Sequence, residues 1–502
     1  MGKSRSKKAL TNTIAGFAHE FVTLICGLIL PRLILHTFGS SYNGITSSIT
    51  HFISCISLMK AGIGGVTKAA LYKPLADNNT KEISEIVIST ERFLRKVALI
   101  FLAGVFVFAS LYPLWVKDFS WIFTFSLILI IAISTFLQYF FGLSYQMLLH
   151  ADQMQGVTSV IQIISTILNT LIAALLIHFG ATIHIVKLGS AFAFAFNPLL
   201  TSIYARKRYR IDRHVRPKEN LLKQRWDALG HEVANFVNNN TDIMVLTVFS
   251  GIKTVSVYTV YAYVTNAIHK VVVNFVSSFG SAFGNMYARK EYELMHQNLG
   301  IFELIVFSIC SVVYSVTLVM IRPFALLYTH GVTDISYNQP VFGILITLAG
   351  AFVCFRIPYY TITYAVGHFK QTRNGSFIEA IINIVVSIAC VIKWGLVGVA
   401  IGTLCAATFR SCQYAYYLGK HILKRSIFIF AHHFLTALAI MAVTYLLGLT
   451  YIKDVSTVPL WIIKAVITTL IAVTLTLLTD VIFWRKDLTR FLTKIRGLIF
   501  KR

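Results

Sequence analysis

Residues 30–65 read LPRLILHTFGSSYNGITSSITHFISCISLMKAGIGG and contain the end of one apolar segment and most of the next. Positions 44–58 hold no Lys, Arg, Asp or Glu, yet Lys60 follows within a run of small and apolar residues. A helix needs roughly 20 apolar residues to cross the hydrocarbon core of a bilayer. The stretch therefore predicts two spanning helices, 10–36 and 42–70, and a cation inside the second.

The whole chain has the composition of a membrane protein. Of its 502 residues 56% are hydrophobic and 13% are charged, and the mean hydropathy is +0.70. A soluble domain of this composition would expose large apolar patches and aggregate. The net charge of +25 comes from short basic runs between apolar segments. A nucleic-acid-binding protein concentrates its basic residues on a solvated domain, so we expect membrane lipids, and no nucleic acid, as partners.

Apolar windows predict an all-α polytopic protein of about fourteen transmembrane helices. The eleventh and twelfth spans are separated only by Lys393. The predicted spans are 10–36, 42–70, 97–115, 121–144, 157–178, 182–204, 228–249, 255–282, 299–321, 340–366, 375–392, 394–417, 427–450 and 458–484. The apolar segment behind the basic start shows no small-residue cleavage site, so we expect an uncleaved first helix rather than a signal peptide.

The basic residues predict the orientation of these spans. The loops and tails on the side of the N-terminus hold 32 of the 45 Lys and Arg residues, and the opposite loops hold 5. By the positive-inside rule both termini are cytoplasmic, and the chain is a multi-pass protein of the cell (cytoplasmic or inner) membrane. The predicted domains are an N-lobe at 1–204, a basic cytoplasmic linker at 205–227, a C-lobe at 228–417, two further spans at 418–484 and a basic cytoplasmic tail at 485–502.

The two lobes share an internal repeat. The pair His19-Glu20 recurs as His231-Glu232 at an offset of 212, and Lys60 recurs as Lys270 at an offset of 210. The segment GVTKAALY at 65–72 aligns with GSAFGNMY at 280–287, an offset of 215. A repeat of six helices enters the membrane twice from the same side, which predicts two lobes related by a pseudo-two-fold axis along the membrane normal.

Enzyme signatures are absent from the sequence. It contains no GxxxxGK[ST] phosphate loop, no acidic metal motif on a long loop and no CxxC pair, and all seven cysteines lie inside apolar spans. We therefore expect a protein without catalytic residues, metal or cofactor.

Three stretches carry a resemblance to a known family. They are residues 30–65, LLHADQMQGVTSVIQIISTILNTLIAALLI at 148–177 and NNNTDIMVLTVFSGIKTVSVYTVYAYV at 238–264. Together they resemble the Wzx-type polysaccharide flippases of the multidrug/oligosaccharidyl-lipid/polysaccharide exporter (MOP) superfamily. Where that family often has an acidic residue in an LDLG-like run, this sequence reads MKAG at 59–62.

The resemblance implies a substrate class and partners. It implies a transporter that moves a polyprenyl-diphosphate-linked oligosaccharide between leaflets, next to a polysaccharide polymerase and glycosyltransferases. A cation-coupled multidrug or organic-cation exporter of the same fold is the alternative within the superfamily. A non-transporting membrane scaffold of a polysaccharide synthase complex is the alternative from another functional class.

Charged residues deep in the predicted spans are the candidate site. Such charges are costly in a bilayer and need a partner or a wet cavity. The predicted substrate-binding cations are Arg32, Lys60, Lys270, Arg356 and Arg410. The acidic members are Glu20, Asp242 and Glu232, which serve either in coupling to a Na⁺ or H⁺ gradient or in salt bridges. The surplus of cations favours an anionic diphosphate over a cationic drug.

Three further acidic residues were assigned to a different environment. Glu303, Glu379 and Asp480 lie near the cytoplasmic ends of predicted spans. At such positions we expect interfacial side chains that reach water.

Overall fold

The computed structural model describes residues 2–60, 63–215, 240–276, 279–452 and 455–499, and every regular element in these ranges is helical. The chain divides into two compact units, Met1–Ser256 and Val257–Arg502. The predicted linker at 205–227 and the start of the predicted C-lobe lie largely outside the described residues.

The first unit contains nine helices within its described residues and the start of a tenth. They are α1 Gly2–Phe38, α2 Ser40–Ile56, α3 Ile63–Ala76, α4 Thr80–Trp115, α5 Trp121–Leu137, α6 Leu143–Ala151, α7 Gln155–His178, α8 Ile183–Tyr209, α9 Asn240–Phe249 and α10 Ile252–Val276. The unit boundary after Ser256 falls inside α10.

The second unit continues α10 and adds nine helices in its described part. They are α11 Phe279–Ala288, α12 Tyr292–Tyr328, α13 Pro340–Phe355, α14 Ile357–Ala365, α15 Phe369–Trp394, α16 Leu396–His421, α17 Ile427–Tyr451, α18 Val458–Phe483 and α19 Arg485–Ile499. The predicted basic tail is thus helical over most of its length. It contacts the start of α12, where Lys494 donates a hydrogen bond to the side-chain oxygen of Asn298.

Eleven helices of the described ranges are long and apolar enough to cross a membrane. This confirms a multi-pass membrane protein with the predicted all-α fold. The other three predicted spans differ for separate reasons. The second is interrupted, the seventh is described only from Asn240, and the eighth corresponds to α10, which is not among the eleven.

The second predicted span breaks where the sequence turns from apolar residues to lysine and glycine. Its chain runs through α2, then a 3₁₀ turn at Ser57–Lys60, then α3. A span that ends in a 3₁₀ turn loses regular backbone hydrogen bonding at that level. The α-helix of this predicted span is therefore interrupted at Ser57–Lys60, the turn that contains the predicted cation.

Polar side chains join α2 to α9 and to the first turns of α10 within the first unit. Asn43 donates a hydrogen bond to Ser256 at 2.8 Å, and the hydroxyl groups of Ser48 and Thr247 are 2.8 Å apart. All four residues are buried. Such bonds satisfy polar groups that would otherwise be stranded in hydrocarbon.

Glycines separate α15 from α16 and let the two helices pack closely. Gly395 has φ 52°, in the left-handed region that glycine tolerates, and it ends one helix and begins the next. A Cβ on Gly398 would lie 2.4 Å from the carbonyl oxygen of Cys390, and one on Gly402 would lie 2.1 Å from Ser387 Oγ. The predicted boundary beside Lys393 is therefore a tight helical hairpin.

Candidate charge networks in the membrane spans

Two arginines share one carboxylate in the second unit. Arg356 lies at the junction of α13 and α14, Glu379 on α15 and Arg410 on α16. Glu379 Oε1 is 2.6 Å from a terminal nitrogen of Arg356, and its Oε2 is 3.4 Å from Arg410 Nε. Two predicted substrate-binding cations are thus brought together, around an acid that the sequence placed at the interface.

Arg410 is fully engaged by the protein. Its side chain is 2% exposed, and it donates to the Thr372 carbonyl at 3.1 Å, to Ser376 Oγ at 2.6 Å and to the Tyr414 hydroxyl at 2.7 Å. Gly375 makes room for it, because a Cβ there would lie 2.1 Å from the guanidinium. In this conformation Arg410 holds α15 against α16.

Arg356 is bound differently. Its side chain is 18% exposed, and among the described residues its guanidinium makes one hydrogen bond, to Glu379. Pro358 follows in the first turn of α14, so the helix restarts at this arginine. Two guanidinium groups around one carboxylate leave one net positive charge. Arg356 is the arginine whose guanidinium uses only one of its N–H donors within the network.

A second network surrounds Glu303 on α12. This residue is 0% exposed, and its carboxylate accepts a hydrogen bond from the Tyr359 hydroxyl at 2.6 Å and lies 2.6 Å from an Arg425 nitrogen. His433 Nε2 is 3.9 Å from the same carboxylate. A buried carboxylate held by a tyrosine and an arginine ties together three separate stretches of the second unit.

The first unit contains a counterpart of this second network. Glu91 on α4 is buried, pairs with Arg95 one turn later and accepts a hydrogen bond from the Tyr145 hydroxyl at 3.0 Å. Glu91 precedes Glu303 by 212 positions, and Tyr145 precedes Tyr359 by 214. These offsets agree with those of the sequence repeat, so the repeat extends to a pair of residues that the sequence analysis missed. A search for acidic residues at that offset would have found them.

The expectation of interfacial side chains for Glu303, Glu379 and Asp480 is wrong. Their residues are 0%, 6% and 7% exposed. Asp480 accepts a hydrogen bond from Ser308 at 2.7 Å. Each has a partner inside the helix bundle, and a paired carboxylate does not need to reach water.

The structure places the remaining predicted site residues separately. Lys60 Nζ lies 5.2 Å from the ring centroid of Tyr139, a cation–π distance. Arg32 and Lys270 are exposed and Glu20 is half-buried. Asp242 is 5% exposed, and Glu232 lies outside the described residues. Their roles in binding and coupling stay predictions.

Comparison with known proteins agrees with this architecture. No protein-family model matches the chain, and no curated protein sequence matches it. Among solved structures, the lipid II flippase MurJ in an inward closed conformation superposes with a TM-score of 0.71 at 18% identity, over 95% of this chain and 99% of that one.

Two transporters of the MOP superfamily are also similar. An inward-facing multidrug resistance MATE family transporter gives a TM-score of 0.62 at 15% identity, over 81% of this chain and 98% of that one. A transporter from Pyrococcus furiosus, for which reverse polarity of the binding pocket suggests a different function, gives 0.58 at 14% identity, over 84% and 97%. The chain therefore has the same fold as this flippase and these two transporters.

Proposed function

We propose that this chain is a flippase that moves a lipid-diphosphate-linked oligosaccharide from the cytoplasmic to the outer leaflet by alternating access, in cell-surface polysaccharide biosynthesis. The observation that carries the proposal is the excess guanidinium at Arg356. It lies within a membrane span, is partly exposed and uses one hydrogen bond of its several donors.

The chemistry of a diphosphate matches this group. Arginine presents a planar fork of donors that binds phosphate oxygens in pairs, and such charge-assisted hydrogen bonds are stronger away from bulk water. An arriving diphosphate would compete with Glu379 for Arg356, while Arg410 keeps its own partners and holds Glu379 in place. An anion is thereby recruited without leaving the carboxylate unpaired.

Aromatic hydroxyls near the network suit the sugar part of such a substrate. The hydroxyl groups of Tyr364 and Tyr414 are 3.0 Å apart, and the Tyr360 ring lies 5.7 Å from that of Tyr364. Tyrosine offers an apolar face and a polar tip to a sugar ring.

The same charge balance argues against the alternative within the superfamily. A cationic drug would meet two guanidinium groups and one carboxylate at this network and would be repelled. The fold alone does not separate the two functions, since both kinds of protein share it. In this proposal a polymerase and glycosyltransferases are the functional partners, and Glu20 or Asp242 serves in coupling to a Na⁺ or H⁺ gradient.

The test is binding of defined lipids to the full chain in nanodiscs. We expect undecaprenyl diphosphate to bind more tightly than undecaprenol, and Arg356→Gln to weaken the diphosphate lipid about tenfold or more, the worth of one charge-assisted hydrogen bond. Arg356→Lys retains part of the affinity. Arg322→Gln is the matched control, because Arg322 Nε donates a hydrogen bond to the side-chain oxygen of Asn338 at 2.7 Å and, among the described residues, makes no ion pair with Glu379.

Two outcomes would overturn the proposal. One is equal binding of undecaprenyl diphosphate and undecaprenol by the unaltered chain. The other is tighter binding of tetraphenylphosphonium, a lipophilic cation, than of the diphosphate lipid.

A further inference from the structure

A cavity of about 410 Å³ lies within the first unit, among α1, α7 and α8. This volume is within the range of about 300–1,000 Å³ for pockets that hold small molecules. Its walls carry no Lys, Arg, Asp or Glu. Polar groups come from His19, Thr23, Gln162, Ser165, Thr166, Asn169, Thr170 and Asn197.

Two of these polar groups lack a partner. Ser165 and Asn169 are 1% and 6% exposed, and the Ser165 hydroxyl and the Asn169 side-chain oxygen make no hydrogen bond in the described structure. A buried polar group without a partner is costly. Pro31 adds a third acceptor, because it has no amide hydrogen for the carbonyl of Gly27, and both residues line the cavity.

The repeat shows what occupies the equivalent place in the second unit. Ser165 and Asn169 precede Glu379 and Asn383 by 214 positions, close to the offset between the Glu91 and Glu303 networks. In the second unit, the guanidinium of Arg410 fills the space beside Glu379. In the first unit the carboxylate is replaced by a hydroxyl, no arginine enters, and the space is open.

We propose that this cavity binds an uncharged, hydroxylated ring, and that the ring is a sugar of the lipid-linked glycan; this assignment rests on the proposed function. Amide, hydroxyl and imidazole groups supply both donors and acceptors for sugar hydroxyls. Phe194 and Leu30 supply apolar surface for the ring face. A purely apolar ligand would place apolar surface against the polar side chains of the walls, and among the described wall residues a cation would find no carboxylate.

The chain carries its own reporter for the test. Cys26 lines the cavity and is partly exposed. In a full-length variant that retains only this cysteine, we expect N-acetylglucosamine, glucose or galactose to slow labelling by a maleimide several-fold. Sorbitol and sodium chloride should not slow it. A variant that retains only Cys390, equally half-buried but in the second unit, is the control and should show no protection.

Removal of the polar groups should remove the protection. Ser165→Ala is a small change, and Asn169→Leu has similar size without hydrogen-bonding groups. Each variant should keep its melting temperature within a few degrees and lose sugar protection of Cys26. Saturation-transfer NMR of N-acetylglucosamine with the unaltered chain in nanodiscs gives a second readout that does not depend on thiol reactivity.

Two measurements separate this inference from the proposed function. If undecaprenyl diphosphate binds but sugars neither protect Cys26 from the maleimide nor give a saturation-transfer signal, the sugar site alone is overturned. If sodium chloride protects Cys26, the cavity is a cation site instead. Failure of undecaprenyl diphosphate to bind would overturn the proposed function. Undecaprenyl-diphosphate-linked N-acetylglucosamine should protect Cys26 at lower concentration than the free sugar, and failure to do so would separate the cavity from the transported glycan.

Discussion

Arg356 and Arg410 are the same residue type at similar depth in the chain's spans, yet their surroundings give them different roles. Arg410 is 2% exposed and Arg356 18%. Because Arg410 already satisfies its donors with Thr372, Ser376 and Tyr414, its loss would leave several buried groups unpaired. Arg356 makes one hydrogen bond among the described residues, so its loss affects binding more than folding.

The first prediction follows from this difference. Arg410→Met should destabilise the protein by about 3 kcal/mol or more and reduce its amount in the membrane, because it breaks a buried network on one side only. Arg356→Gln should change stability by less than half as much. Thermal unfolding of the detergent-solubilised protein measures both. Equal melting temperatures for the two variants would contradict the structural role of Arg410.

The second prediction concerns a glycine. A Cβ on Gly44 of α2 would lie 1.8 Å from the carbonyl oxygen of Ile252 at the start of α10. Gly44→Ala should therefore push the helices apart and cost about 1–3 kcal/mol through overpacking. Gly16→Ala on α1 is the control, because a Cβ there meets nothing within 4 Å and alanine favours a helix. Equal stability of the two variants would show that α2 and α10 are further apart than described.

At the scale of elements, two helix interruptions lie at predicted substrate-binding cations. The second span breaks at Lys60, and the tenth restarts after Arg356, at α14. The fourth span has a π turn at Gln138–Gly142, and Tyr139 in that turn lies beside Lys60. Non-helical backbone at membrane depth is tolerated where it lies inside the protein or lines a cavity. Two of these interruptions thus lie directly at a predicted site cation, Lys60 or Arg356.

The third prediction compares α4 with α12. Glu303→Gln should cost about 3 kcal/mol, because it leaves the mostly buried Arg425 without its carboxylate. Glu91→Gln should cost about 1 kcal/mol or less, because the side chain of Arg95 is 42% exposed and water replaces its partner. Thermal melting of the two variants is the measurement. A larger loss of stability for Glu91→Gln than for Glu303→Gln would mean that the burial of each network does not determine how much it stabilises the protein.

At the scale of the whole molecule, the predicted topology places most basic residues in the loops and tails of one side. Those loops and tails hold 32 of the 45 Lys and Arg residues. The membrane orients a polytopic chain by this asymmetry.

The fourth prediction tests that orientation. Single cysteines at Asp118 and Asp334, both exposed, should react with an impermeant thiol reagent added outside intact cells. Cysteines at Lys370 and Arg496, also exposed, should react only after the membrane is opened. Labelling of position 496 from outside would mean that the predicted topology is inverted and that most Lys and Arg residues face the outside.

Properties that are local along the chain could be predicted from the sequence. Hydropathy over about 20 residues identified eleven of the fourteen predicted spans, including the pair separated beside Lys393, because membrane insertion depends on the composition of each segment. The repeat offset of about 212 is visible in the pairs His19-Glu20 and His231-Glu232. The same offset also relates Glu91 to Glu303. Glu91 lies between the predicted second and third spans, and the position of Glu303 near the end of a span predicts an interfacial side chain instead.

The pairing of charges was decided only by the tertiary structure. Glu379, Glu303 and Asp480 were assigned to the interface by their position in the chain, yet lateral packing surrounds each of them with partners from other helices. The neutral cavity likewise forms only where α1 meets α7 and α8, two consecutive helices that lie far from α1 along the chain. Hydropathy acts on one segment at a time, whereas the cost of a buried charge or an unpaired hydroxyl depends on which neighbouring helix faces it, and no single segment contains that information.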